Sequence, residues 1–134
     1  MIVLRIFLTT LICSVVFTSY SQSTTLVGDW QITECSMNLK DLSPIFLANI
    51  KKNLLSTTYT FYSDSTFRRT ADIDSDIGKW EVKKGSKVLN LYNSKISDGR
   101  PEKFTYIFIS PSQMNWVQDY GELGFFTLRL VRMN

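Results

Sequence analysis

From Ser56 to the C-terminus the chain carries no helical period, only short runs rich in Thr, Tyr, Phe, Ile and Val that are cut by turn residues at a spacing of roughly 8 to 12. That punctuation constrains the fold more than any other feature. It predicts strands over residues 57–62, 66–71, 77–83, 87–93, 102–109, 113–119 and 125–133. Between them lie Ser63-Asp64-Ser65, the Asp72 to Asp76 stretch, Lys84-Gly85-Ser86, Ser97 to Pro101, Ser110-Pro111-Ser112 and Gly121 to Gly124, all built from residues that favour turns.

Upstream, residues 27–35 alternate, with Trp30, Ile32 and Gly28 on one face and Asp29, Gln31 and Thr33 on the other, which adds a first strand. The period then changes. Ser43-Pro44 supplies a helix cap and a proline at the first helical position, and Lys51-Lys52 suit the negative end of a helix dipole. At 100° per residue Phe46, Leu47, Ile50 and Leu54 share one stripe, so residues 44–55 form one amphipathic helix, either packed on the core or laid as a lid over an opening. The count is eight strands and one helix. Short connections make sequential antiparallel neighbours the economical topology, and closure removes exposed edges. The expected fold class is all-β, an eight-stranded antiparallel up-and-down barrel with one short helix between strands 1 and 2; a six-stranded open sheet or sandwich is the competitor.

The first 21 residues read differently. Arg5 precedes an apolar stretch, Ile6 to Phe17, and Ser19 and Ser21 occupy the −3 and −1 positions of a cut before Gln22, the pattern of a secretory signal peptide. The apolar run is shorter than the roughly 20 residues that span a bilayer, although an uncleaved anchor is the other reading. Residues 22–134 then form one secreted or periplasmic domain, not membrane-spanning after cleavage. Loss of Arg5 leaves the basic side chains two in excess of the 12 acidic ones, too small a balance to imply a polyanionic partner. Of the 2 cysteines only Cys35 survives cleavage, so no internal disulfide forms and the thiol reads as a small buried hydrophobe.

Several of these residues carry a resemblance. Gly28-Asp29-Trp30 is similar to the Gly-x-Trp signature of the lipocalins, and Gly78-Lys79-Trp80 repeats it. The run Tyr59 to Phe67, followed by Ile77 to Val82, resembles the hairpin and Gly-x-Trp strand of small secreted bacterial lipocalin-like domains, with Ser65 standing where the hairpin glycine is expected. The closing Leu128 to Arg132 is similar to the basic-ended last strand of that family. The resemblance covers nearly the whole of residues 22–134. It implies a calycin-type barrel and, since an arginine near the lipocalin C-terminus packs over the signature tryptophan, a structural role for Gly28, Trp30 and Arg132 (or Arg129).

Chemistry is sparse. With 0 histidines the usual general base and the commonest metal ligand are missing, and no catalytic constellation is visible, so the expectation is a non-enzyme without cofactor or metal. Asp72, Asp74 and Asp76 have the spacing of a calcium loop, but Ile77 replaces its glycine and Lys83 its closing glutamate; they read as a solvated turn. A nucleic-acid partner does not fit the charge or the leader. The barrel interior remains. If Phe61 and Phe67 face inward, strand parity turns Arg69 inward and Arg68 outward. Arg69 then meets the polar head of an apolar ligand, with Phe61, Phe67, Trp80, Tyr106 and Trp116 as the wall, or it sits at the rim or pairs with an internal acid such as Glu34 while the aromatics fill the core. The parity of residues 104–109 is ambiguous, because both faces are apolar. The leading expectation is a monomeric, non-catalytic binding protein for a small apolar or amphipathic ligand. The alternative is a cell-envelope protein-interaction domain with a filled core.

Overall fold

The computed structural model describes residues 25–95 and 98–133; the expected leader, residues 1–21, lies outside them. The strands are β1 (Gly28–Leu39), β2 (Thr58–Phe61), β3 (Thr66–Thr70), β4 (Ser75–Val82), β5 (Val88–Asn93), β6 (Glu102–Ser110), β7 (Gln113–Asp119) and β8 (Gly124–Arg132), with a helix, α1 (Pro44–Leu55), between β1 and β2. Each strand pairs antiparallel with the next, and β8 returns to β1, so the eight close into an up-and-down barrel. No sheet edge is left open.

Strand β1 runs four residues past the expected end at Cys35 because it contains a bulge. The register with β8 shifts between Ile32 and Glu34, which reverses the parity of all that follows. Trp30 and Ile32 point inward before the bulge, Cys35, Met37 and Leu39 after it. Strand β4 likewise starts at Ser75, two residues earlier than its apolar pattern suggests. Asp76 therefore belongs to a strand and faces inward at 8% exposure, which corrects the reading of all three aspartates as a solvated turn.

Helix α1 is stopped and started as its sequence dictates. The Ser43 hydroxyl accepts from the Phe46 amide at 3.2 Å, and Pro44 needs no acceptor in the first turn. None of its side chains is fully buried. Leu54 and Leu55 pack on the core, while Ile45 and Phe46 stay exposed.

The connections sort into two ends. The β1–α1–β2, β3–β4, β5–β6 and β7–β8 links meet at one, the mouth; the chain ends and the other three turns meet at the opposite, closed end. Near the closed end the interior is solid. Trp30, Ile32, Phe61, Leu89, Leu91, Met114, Trp116, Leu128 and Leu130 are buried to 2% exposure or less. Each such side chain contributes roughly 1.5–3 kcal/mol by leaving water. Phe104, Tyr106 and Phe108 turn inward and Ile107 and Ile109 outward, which settles the parity of β6.

The closed end is tied by Arg132. Its guanidinium carbon lies 4.3 Å from the Trp30 ring centroid, its Nη1 donates to the Val27 carbonyl at 2.8 Å, its Nη2 to the Thr25 carbonyl at 2.6 Å and its Nε to the Pro111 carbonyl at 3.2 Å. Gly28 makes room for this group: with φ at 133°, a Cβ there would stand 2.7 Å from Arg132 Nη1. The Trp30 indole N–H donates to the Leu26 carbonyl at 2.9 Å. Gly78 is bare for a related reason, since its Cβ would meet the Tyr92 carbonyl oxygen at 2.0 Å.

Candidate functional site

At the mouth the packed interior opens into a cavity of about 470 Å³. Three parts of the chain build it. After its bulge β1 contributes Met37 and Leu39; α1 lays Ile50 and Leu54 across the top; β6, β7 and β8 supply Phe104, Gln118, Phe126 and Leu128. Leu42, Tyr120 and Leu123 form part of the rim. The helix is thus placed as a lid, resting on the core through Leu54 and Leu55.

Beside Gln118, Tyr59 on β2 and Glu102 at the mouth end of β6 add a phenol and a carboxyl to this largely apolar wall. Burial pushes the Glu102 carboxyl above its ordinary range; Arg69 opposes that shift and Asp76 adds to it. Burial also raises the Tyr59 phenol far above its ordinary value, and the Glu102 charge raises it further. Both groups therefore favour their neutral forms more than they would in water.

The residues predicted to line a ligand site occupy the layer beneath. Phe61 and Phe67 face each other across the β2–β3 hairpin, 6.3 Å between centroids, and are 1% and 3% exposed. Trp116 lies at the centre, 4.9 Å from Phe104, 5.0 Å from Tyr59 and 6.0 Å from Phe61. Tyr106 sits beside it on the paired strand, with Lys87 Nζ 5.8 Å from its ring. Trp80 is half-buried, packs edge-on against Phe61 at 5.6 Å and donates its indole N–H to the Tyr62 carbonyl. None of these five, nor Arg69, lines the mouth cavity. They form the floor on which Tyr59 and Phe104 rest.

Arg69 does turn inward, as parity requires, and Arg68 outward. Its partner is not Glu34. That acid lies on the outer face, 69% exposed and 3.9 Å from Arg129, because it follows the β1 bulge. Arg69 instead meets Asp76, directly opposite on β4, through Nε at 2.9 Å and Nη2 at 2.7 Å, and Asp74 through Nη2 at 2.9 Å. Lys95 Nζ reaches the other Asp76 oxygen at 3.1 Å. Burial works against the Asp76 charge, but hydrogen bonds from Arg69, Lys95 and Asn93 outweigh it and hold the carboxyl below its ordinary value.

Residues 26–116 match the family described as the lipocalin-like domain. The chain belongs to this family. The match starts just before Gly28-Asp29-Trp30 and runs to Trp116; the last strand, β8, with Arg132, closes the lipocalin-like barrel beyond it. No curated protein and no solved structure matches.

The cavity of this lipocalin-like barrel was hidden in the sequence for two reasons. The bulge masks the continuity of Met37 and Leu39 with the inward face of β1. Glu102 looks like the polar start of a strand, although it is in phase with Phe104, Tyr106 and Phe108, and that phase is the signal that could have found it. A second, larger groove of about 690 Å³ runs over the outer wall between Tyr62, Arg68, Lys79, Tyr92 and Arg100. Its rim is charged and mostly exposed. Among the described residues no group of three His, Cys, Asp or Glu side chains is placed to hold a metal, and no helix is long and apolar enough to cross a membrane.

Proposed function

We propose that this lipocalin-like barrel binds one small apolar or amphipathic molecule in its mouth cavity, non-covalently and without transforming it. The observation that carries the reading is the cavity itself: about 470 Å³, apolar on nearly every side, roofed by α1 and floored by the aromatic layer around Trp116. Small-molecule sites fall in the range of about 300–1,000 Å³ with few, placed polar groups. The absence of histidine from the sequence and, among the described residues, the lack of an activated nucleophile lining the cavity support binding rather than catalysis.

The protein acts outside the cytoplasm after removal of residues 1–21; the support is the charged, apolar and small-residue sequence of that segment. N-terminal sequencing of the exported protein, with Gln22 first, checks the cut. The binding reading is tested by native mass spectrometry of protein purified from its own host. A small molecule at one-to-one stoichiometry, lost when Leu54→Trp fills the cavity, is the expected result. Repeated preparations with no bound molecule, and no uptake of a neutral apolar dye, would turn the assignment to an envelope domain acting through its outer surface.

A further inference from the structure

Of the charged side chains that line the mouth cavity, Lys40, Asp41 and Glu102, only Glu102 is drawn out of full exposure. Arg69 and Lys95 are matched by Asp76 and Asp74 in contacts of 2.7 to 3.1 Å. Lys40 and Asp41, adjacent in sequence and both exposed, set opposite charges side by side at the rim. Glu102 belongs to none of the ion pairs among the described residues. Its neighbours from the packed elements are the Tyr59 phenol on β2, the already neutralised Arg69 and Asp76 on β3 and β4, and Tyr120 after β7, whose hydroxyl donates to Gln118 Oε1 at 3.0 Å.

An arginine clamp for a ligand carboxylate therefore has little to offer here. The Arg69 charge is spent on two aspartates, and an incoming carboxylate would lie beside Glu102 in a poorly solvated space, where like charges repel strongly. A cation in the same place gains the reverse. It adds a direct ion pair to a carboxylate that Arg69 favours only through space, and an ammonium can donate to its oxygens as a charge-assisted hydrogen bond.

We propose, resting on the ligand-binding reading above, that the mouth cavity selects cationic amphipaths of the alkylammonium class, the positive head at Glu102 and the chain against Met37, Leu54, Phe104 and Phe126. Specificity in this barrel then comes from one carboxylate at the mouth end of β6, not from the arginine on β3.

The test uses three ligands with one eight-carbon chain, octylammonium, octanol and octanoate, each displacing the neutral dye N-phenyl-1-naphthylamine from the full chain at neutral pH. Wild type is expected to bind octylammonium at least about 10-fold more tightly than octanol, equivalent to about 1.4 kcal/mol, and octanoate least. Glu102→Gln is expected to bring the ammonium-to-octanol affinity ratio close to one. Octanoate binding as tightly as octylammonium in wild type, or an ammonium preference that survives Glu102→Gln, overturns the cation assignment while leaving ligand binding in place. Failure of the dye and all three ligands to bind overturns the cavity reading, and the assignment with it. The wild-type order alone decides the matter if the variant does not fold.

Discussion

Arg69 and Asp76 face each other across the β3–β4 pair, and two guanidinium N–H groups, Nε and Nη2, converge on the single oxygen Oδ2 at 2.9 and 2.7 Å. The pair pins the mouth edge of the hairpin and removes a positive charge from the interior. Asp74 and Lys95 complete it, one on each partner. Structural neutralisation at this position is what leaves Glu102 as the group that sets the character of the cavity.

Removing one partner exposes the cost of that arrangement. Asp76→Ala leaves Arg69, with 18% of its side chain exposed, paired with Asp74 alone and removes the ion-pair partner of Lys95 among the described residues. Between the surface limit of about 0–1 and the buried limit of about 3–5 kcal/mol, a loss of about 2 kcal/mol is expected from urea unfolding at pH 7. Arg69→Met combined with Asp76→Leu should cost less than Asp76→Ala alone, because no charge is stranded.

The two inward carboxylates should respond to pH with opposite sign. The folded Asp76 carboxyl is held below its ordinary 3.8, so the stability it contributes is present above about pH 4 and is lost as pH falls through the lower, folded value. Glu102 is raised above its ordinary 4.5 by burial, so the folded state binds the extra proton, and stability falls as pH rises from about 4.5 through the raised value. Glu102→Gln is therefore expected to be more stable than wild type at pH 7 and no more stable at pH 4. Unfolding curves at the two pH values read the difference; a variant gain that grows on acidification would contradict the placement of Glu102.

At the β2–β3 turn Ser65 adopts φ of 69°, in the left-handed region, while Asp64 Oδ1 accepts from the Thr66 amide at 3.0 Å and its hydroxyl at 2.6 Å. A serine pays roughly 1–2 kcal/mol for that conformation where glycine pays little. Ser65→Gly should raise stability by about 0.5–1 kcal/mol, with part of the relief offset by the freer unfolded chain.

The Arg132 guanidinium covers Trp30 and donates to three carbonyls from two separate segments. Arg132→Ala should destabilise by about 2 kcal/mol, from lost stacking and unpaired carbonyls. Arg132→Lys should recover little, since an ammonium has neither the plane nor the fork. Calorimetric melting separates the two outcomes.

Much of the barrel was legible because most strands are bounded by turn chemistry: Ser63-Asp64-Ser65, Lys84-Gly85-Ser86 and Pro111 all fall in turns. The inward parity of Phe61, Phe67 and Arg69 followed from the hairpin register and stands. Parity failed where the period itself broke. The β1 bulge placed Glu34 outside and carried Met37 to the cavity, and the early start of β4 brought Asp76 inside to meet Arg69. The aromatic residues were read as a wall because inward aromatics can line a space or fill one, and only packing distances around Trp116 distinguish the two.

The central claim, a ligand in the mouth cavity, is tested most directly by titrating the neutral dye N-phenyl-1-naphthylamine into protein with labelled methyl groups and following the methyl and indole signals by NMR. The account predicts saturable shifts at Met37, Leu54, Leu128 and the Trp116 indole, with Leu89 and Leu130 unmoved. Shifts confined to Ile77 and its neighbours on the outer groove, or none at any methyl, would contradict it.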